Sequence, residues 1–283
     1  MVIGKKKENF CLTKKSKQIS SKHTNIILET KDVSIGYSQK KTKNCISKNI
    51  SVSVKKGSFV VIIGKNGIGK STFLKTISGV LQPLEGFVTI QQKNIEEYNA
   101  LELATNLSLV LTERLPESQL TVFELVALGR QPYTNWIDQL STKDIKIINW
   151  AITETEIEHL QHKRFYELSD GQLQRVLIAR ALAQDTPIII LDEPTAYLDL
   201  YGTIKIMKLL KKLVKKTKKT IVLSSHEINL SIQLADEIML FKENDVVFGT
   251  PKELIEKKAF ESLFPSGSVE FNTDLKQFII QTK

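Results

Sequence analysis

The sequence predicts an α/β fold built on a parallel sheet, and three observations predict it. The apolar run Phe59-Val60-Val61-Ile62-Ile63 opens into a glycine-rich loop and then a helical pattern. A second apolar run, Ile188-Ile189-Ile190-Leu191, ends on Asp192-Glu193. A third, residues 220–223, ends on Ser224-Ser225-His226-Glu227. Near-continuous apolar strands are what a sheet covered on both faces requires. Polar residues gathered at strand ends stand where open parallel sheets bind ligands.

The remaining elements follow in chain order. Residues 25–28 begin a β-rich opening, residues 50–54 alternate, and residues 58–63 form the buried strand. A helical pattern runs through Phe73, Leu74, Ile77 and Leu81. From about residue 101 to 165 the character becomes helical, with 122–129 and 144–160 the clearest segments and few β-branched runs, so this stretch is expected to be a helical insertion. Parallel-sheet character returns at 187–191 and 220–224. Between them lies an amphipathic helix with Ile206, Leu209, Leu210 and Leu213 on one face and lysines, expected to be solvated, on the other. Residues 237–249 read as a hairpin. The expected organisation is a basic disordered tail (1–24), one domain (25–250) and a short C-terminal extension (251–283).

The formal net charge of +9 is mostly a property of the tail. Residues 1–24 hold seven lysines against Glu8, or +6, and leave +3 for the other 259 residues. The charge therefore gives no argument for a nucleic-acid partner. No apolar run approaches the roughly 18 residues a membrane-crossing helix needs. The N-terminus lacks a secretory pattern, since Asn9, Lys14 and Lys15 interrupt its only apolar stretch. Cys11 and Cys45 form no CxxC and fit a reducing compartment.

The loop Gly64-Lys65-Asn66-Gly67-Ile68-Gly69-Lys70-Ser71-Thr72 has the form GxxxxGK[ST] between a strand and a helix. Glycines there let backbone N–H groups converge on phosphate oxygens, with the dipole of the following helix behind them. Lys70 would reach the β and γ phosphates and the Ser71 hydroxyl would ligate Mg²⁺. Asp192 would hold the same metal, through water, and Glu193 would polarise the water that attacks the γ phosphate. His226, at the end of the next core strand, is placed to contact that phosphate. In Leu168-Ser169-Asp170-Gly171-Gln172, Ser169 is a natural N-cap and Gly171 lets backbone approach an anion, so the helix that follows opens with a second phosphate-binding element.

In this order the motifs resemble those of an ATP-binding cassette (ABC) ATPase, over about residues 26–250. The resemblance implies a P-loop NTPase fold with a RecA-like core, an N-terminal antiparallel β subdomain and an inserted helical subdomain, with ATP and Mg²⁺ as cofactors. It makes Tyr37 the aromatic that stacks on adenine. Ser169, Asp170, Gly171 and Gln172 become a signature that contacts ATP held by another subunit. Asp199 falls in the loop that couples two ATP sites, and His226 becomes the switch histidine. Two positions depart from the family pattern. Where a glutamine normally enters the helical insertion this chain has Thr112, with Glu113 beside it, so altered metal affinity is expected at that junction. Asp170 stands where the signature has glycine, and its carboxylate is expected to point away from phosphate, capping the helix or pairing with a lysine or arginine.

One phosphate loop, no long coiled-coil segments and no hydrophobic spans leave a stand-alone subunit. It would serve either a separate permease or a soluble assembly, such as the ABC ATPase of iron-sulfur cluster biogenesis. The stretch Thr121-Val122-Phe123-Glu124-Leu125-Val126-Ala127-Leu128-Gly129-Arg130-Gln131-Pro132-Tyr133 looks like the corresponding stretch of ATPases from ferric siderophore, haem and cobalamin importers. This implies the ATPase subunit of a bacterial iron-complex importer, at the cytoplasmic face of the membrane. Its partners would be a second copy packed head to tail, integral membrane permease subunits whose coupling helix sits beside residues 112–135, and, indirectly, a periplasmic or lipoprotein substrate-binding protein. No nucleic-acid partner is expected.

Overall fold

The structure, a computed structural model, describes residues 25–39, 42–112, 119–134, 139–243, 245–263, 269–272, 275 and 277–280. The expected tail 1–24, with Cys11, and the candidate Glu113 lie outside the described residues. Along the chain, β1 (Ile26–Gln39) and β2 (Thr42–Lys55) pair antiparallel, β3 (Phe59–Ile63) enters a central sheet and α1 (Lys70–Ile77) follows it. Strands β4 (Glu85–Ile90) and β5 (Lys93–Asn94) return to the first pair and complete an antiparallel sheet of order β2-β1-β4-β5. Next come α2 (Ala100–Asn106), β6 (Leu107–Val110), α3 (Val122–Ala127), α4 (Thr142–Glu154), α5 (Asp170–Ala183), β7 (Ile188–Leu191), α6 (Leu200–Thr217), β8 (Thr220–Ser224), α7 (Ile228–Leu234), β9 (Glu237–Phe241) and β10 (Val246–Gly249). The described chain finishes with α8 (Pro251–Glu256) and the hairpin β11 (Val269–Asn272) and β12 (Gln277–Ile280).

The central sheet has order β10-β9-β3-β8-β7-β6 and is parallel except for β10, which pairs antiparallel with β9. Because side chains alternate across a strand, each apolar run feeds two cores. Phe59, Val61, Ile63, Ile189, Leu191, Ile221 and Leu223 face one way, into a core with α3, α4, α5 and α6. Val60, Ile62, Ile188, Ile190 and Val222 face the other way, where they meet α1 and the antiparallel sheet. Burying a side chain of this size contributes about 1.5–3 kcal/mol, which is why these strands are mainly apolar; the buried exceptions Thr220 and Ser224 stand at the ends of β8. The expected apolar stripe of α6, Ile206, Leu209, Leu210 and Leu213, is buried in the first core. Its lysine face is more than solvated: Lys211, Lys212 and Lys216 pair with Asp236, Glu156 and Glu154.

Several expected boundaries move. The helical insertion does not begin at residue 101, because β6 pairs in parallel with β7 at the edge of the central sheet and α2 precedes it. The insertion starts only beyond Thr112. In sequence, Leu107-Ser108-Leu109-Val110 reads as more of the preceding helix; burial of Leu107 and Val110 beside β7 makes it a strand. Helix α1 ends at Ile77 rather than reaching Leu81, since Gly79 adopts φ +77° and its N–H turns back to Thr76 O. The segment 144–160 is broken after α4, where Glu156 has φ +60°. The expected boundary at residue 250 divides no core: Leu254, Ala259 and Phe260 are buried with the main body.

Candidate active site

The loop after β3 is shaped by its glycines for two different reasons. A Cβ on Gly64 would lie 2.9 Å from Phe241 Cβ and 3.0 Å from its carbonyl oxygen, so only glycine fits against β9. Gly69, the residue before α1, needs φ +111°, which a side chain rarely permits. Helix α1 has no side-chain N-cap and no acidic residue in its first turn. Its leading N–H groups and positive dipole end are thus left for an anion from outside the chain.

Lys70 opens that helix and is only 4% exposed. Its Nζ donates to Gly64 O at 2.9 Å and Lys65 O at 3.1 Å and lies 3.9 Å from Glu193 Oε1. Burial holds its pKa below the ordinary lysine value, partly opposed by the nearby carboxylates of Glu193 and Asp192. A buried ammonium folded back onto the carbonyls of its own loop is a cation that a phosphate can reclaim.

The acidic strand end is tied to the loop by short hydrogen bonds. Asp192 Oδ1 accepts from Ser71 Oγ at 3.0 Å and from Ser224 Oγ at 2.7 Å. Ser224 Oγ in turn accepts from the Glu193 N–H at 2.8 Å, so one hydroxyl joins the ends of β7 and β8. Thr112 Oγ1 donates to the Asp192 carbonyl at 2.9 Å, which commits Thr112 to holding this strand end. Glu193 has φ +44°, a conformation uncommon for a side chain of this kind and one that concentrates at functional sites. The carboxylate accepts a hydrogen bond from His226 Nε2 at 2.7 Å. Ser71 and Asp192 put two hard oxygen donors side by side, the chemistry that Mg²⁺ selects. Tyr37, 44% exposed, sits across the loop with its hydroxyl 3.4 Å from Thr72 Oγ1.

The signature end is built differently. Ser169 caps α5 as expected, its Oγ accepting from Gln172 N while Gln172 Oε1 accepts from Ser169 N. Asp170 is the first helical residue; it is exposed, does not cap, and among the described residues has no lysine or arginine partner. The expected ion pair is therefore absent, and what steadies this carboxylate is the helix dipole. A Cβ on Gly171 would meet only Leu198 Cδ2, at 3.6 Å, so nothing in this chain demands glycine there. Asp199 caps α6 through Gly202 N at 2.7 Å. Ser169, Gly171, Gln172 and Asp199 line one cavity of about 560 Å³ and share no hydrogen bond with the phosphate loop among the described residues.

The stretch ending Gly129-Arg130-Gln131-Pro132-Tyr133 proves to be a structural lock on the signature helix. A Cβ on Gly129 would fall 2.3 Å from Arg180 O. Arg130, buried, donates to Asp144 Oδ1 at 2.8 Å and to Ala183 O at 2.9 Å, and Tyr133 lies 3.9 Å over its guanidinium. Burial pushes the Asp144 pKa up, but hydrogen bonds from Ser141 and Arg130 outweigh it and hold the carboxyl below its ordinary value. Sequence reasoning missed Ser224, Asp144 and the commitment of Thr112. Only the Ser224-Ser225-His226 string, at a strand end, offered a signal.

A family model described as ABC transporter matches residues 47–196. The chain is 35% identical to the achromobactin transport ATP-binding protein of Dickeya dadantii, over 84% of this chain and 87% of that one. It is 34% identical to the iron(3+)-hydroxamate import ATP-binding protein of Bacillus subtilis, over 84% and 87%. Among solved structures it matches a dimeric post-hydrolysis ATP-binding cassette bound to ADP and Pi, at TM-score 0.68 and 32% identity, over 80% of this chain and 99% of that one.

Proposed function

Because the chain belongs to the ABC transporter ATP-binding family, we propose that it is the ATP-hydrolysing subunit of an importer of iron complexes of the ferric-siderophore kind. The observation that carries this reading is the convergence of Lys70, Ser71, Asp192, Glu193 and His226 at neighbouring strand ends, linked through Ser224. Adenine would lie on Tyr37 and the phosphates over Gly64 to Thr72, with Lys70 leaving the carbonyls of Gly64 and Lys65 for the β and γ phosphates. Ser71 and Asp192 would hold Mg²⁺, which supplies neutralisation of phosphate charge. Glu193 takes the proton of the attacking water, and His226, bonded to that carboxylate, orients it and faces the γ phosphate.

The second half of each site comes from another copy. The solved cassette with ADP and Pi is dimeric, which supports pairing of two copies; in a head-to-tail pair Ser169, Gly171 and Gln172 of one subunit would cover ATP on the other. No helix among the described residues is long and apolar enough to cross a membrane, so transport needs separate permease subunits, contacted from the cytoplasmic side through the helical subdomain. A substrate-binding protein delivers the iron complex to them. The names of the relatives favour import over a soluble assembly role.

The test is uptake of a radiolabelled ferric siderophore by vesicles carrying the chain with its permease. Wild type drives ATP-dependent uptake. Glu193→Gln binds ATP but loses at least about a hundredfold in hydrolysis, and uptake goes with it. Hydrolysis that survives Glu193→Gln, or uptake independent of this chain, would overturn the reading.

A further inference from the structure

The C-terminal hairpin β11–β12 belongs to neither large sheet, yet it is tied to the segment that carries His226. Asn229 Oδ1 accepts from Phe278 N at 2.8 Å and Asn229 Nδ2 donates to Phe278 O at 3.3 Å. One side-chain amide thus captures both backbone groups of a single residue, as a neighbouring strand would. The hairpin itself is anchored: the Phe278 ring meets Phe271 edge-on at 5.0 Å and Phe260 at 5.9 Å, and Phe260 is buried in the main core.

Asn229 stands on α7, three residues after His226. Between them the backbone is closed by short bonds: Ile228 N to His226 O at 3.0 Å, Glu227 N to Ser225 Oγ at 3.0 Å and Ser231 Oγ to Glu227 O at 2.6 Å. Helix α7 has no side-chain N-cap, and its apolar anchorage is Ile232 with partial help from Ile228 and Leu234. His226 is 41% exposed, and the bond its ring makes is the one to Glu193. The position of the imidazole is therefore set by the position of α7.

We propose that the C-terminal hairpin is a clamp on the catalytic segment, with Asn229 a positioning residue that acts through His226. This rests on the reading of Glu193 and His226 as the hydrolytic pair. Releasing Asn229 lets α7 shift against the hairpin and lengthens the 2.7 Å His226–Glu193 contact. Misplacements of about 1 Å at a reacting centre cost up to about a hundredfold in rate.

The experiment compares full-length wild type, Asn229→Ala, His226→Ala and the double variant by steady-state phosphate release, with ATP binding and thermal melting measured on each. The expected result is a fall in kcat of about tenfold for Asn229→Ala, with KM for ATP within about twofold. In the His226→Ala background the same substitution should cost less than about twofold, because the two residues act as one unit. An equal loss in both backgrounds, or no loss with His226 present, overturns the clamp. Asn229→Asp, nearly isosteric, keeps the bond from Phe278 N but sets a carboxylate oxygen against Phe278 O, and keeps the test open if the alanine variant melts early; it should show a loss with the same dependence on His226. A wild type that does not hydrolyse ATP would instead sink the functional reading beneath the clamp.

Discussion

The phosphate cradle and the signature end are both helix N-termini suited to anions, but the chain treats them in opposite ways. Around Lys70 everything is joined internally: Ser71, Asp192, Ser224, Glu193, His226 and Thr112 form one hydrogen-bonded set, and Lys70 is almost wholly buried. Around Ser169 the reciprocal cap with Gln172 is local to its own helix, Asp170 has no lysine or arginine partner among the described residues, and a Cβ at Gly171 would meet only Leu198 Cδ2, at an ordinary 3.6 Å. The difference teaches that the first region is joined internally as a binding cradle, whereas the second is capped locally and exposed, which is what the proposed contact with another copy needs. Glycine at 171 makes physical sense only if something from outside approaches its backbone closely.

The strongest way to break this contrast is to loosen the scaffold under one end only. Asp144→Ala leaves Arg130 buried without its carboxylate partner and removes the N-terminal box of α4. It should cost about 3–5 kcal/mol in urea denaturation. ATP binding by the isolated chain should persist where the protein is folded, since the bonds of Asp144 among the described residues go to Arg130 and Ser141 rather than to the cradle, while hydrolysis falls with the signature helix. Equal loss of binding and hydrolysis in the folded variant would show that the two ends are not separable. A smaller effect sharpens the contrast from the other side. Asp170→Gly should change KM for ATP by less than about threefold, because an exposed charge is largely screened. A tenfold gain in affinity would mean instead that the carboxylate faces the phosphates and repels them.

Much of the cradle was legible because its signals are local. A strand, a glycine loop and a helix stand side by side in 59–77, and Asp192-Glu193 adjoin their strand. The parts that were not legible depend on distance. Thr112 meets Asp192 across 80 positions, and Ser224 meets Asp192 across 32. A threonine or serine at a strand end has no meaning until the sheet order brings these ends together. The edge strand β6 was hidden because four residues without a β-branched run adjoin a capped helix. Arg130 was read only as part of a stretch resembling importer ATPases, and its structural role stayed hidden because its partners Asp144 and Ala183 lie on other helices. Asp170 was expected to cap the helix or pair with a cation; Ser169 takes the cap, and the described elements around it supply no lysine or arginine.

The central claim is that each hydrolytic site joins the cradle of one copy to the signature of another. Two variants test it directly: Lys70→Ala, which removes the cradle cation, and Ser169→Arg, which fills the space before α5. Each alone should be inactive in phosphate release. Mixed in equal amounts they form heterodimers with one intact composite site, and activity should return to about a quarter of wild type. A mixture no more active than its components, or a Ser169→Arg variant as active as wild type, would contradict the account.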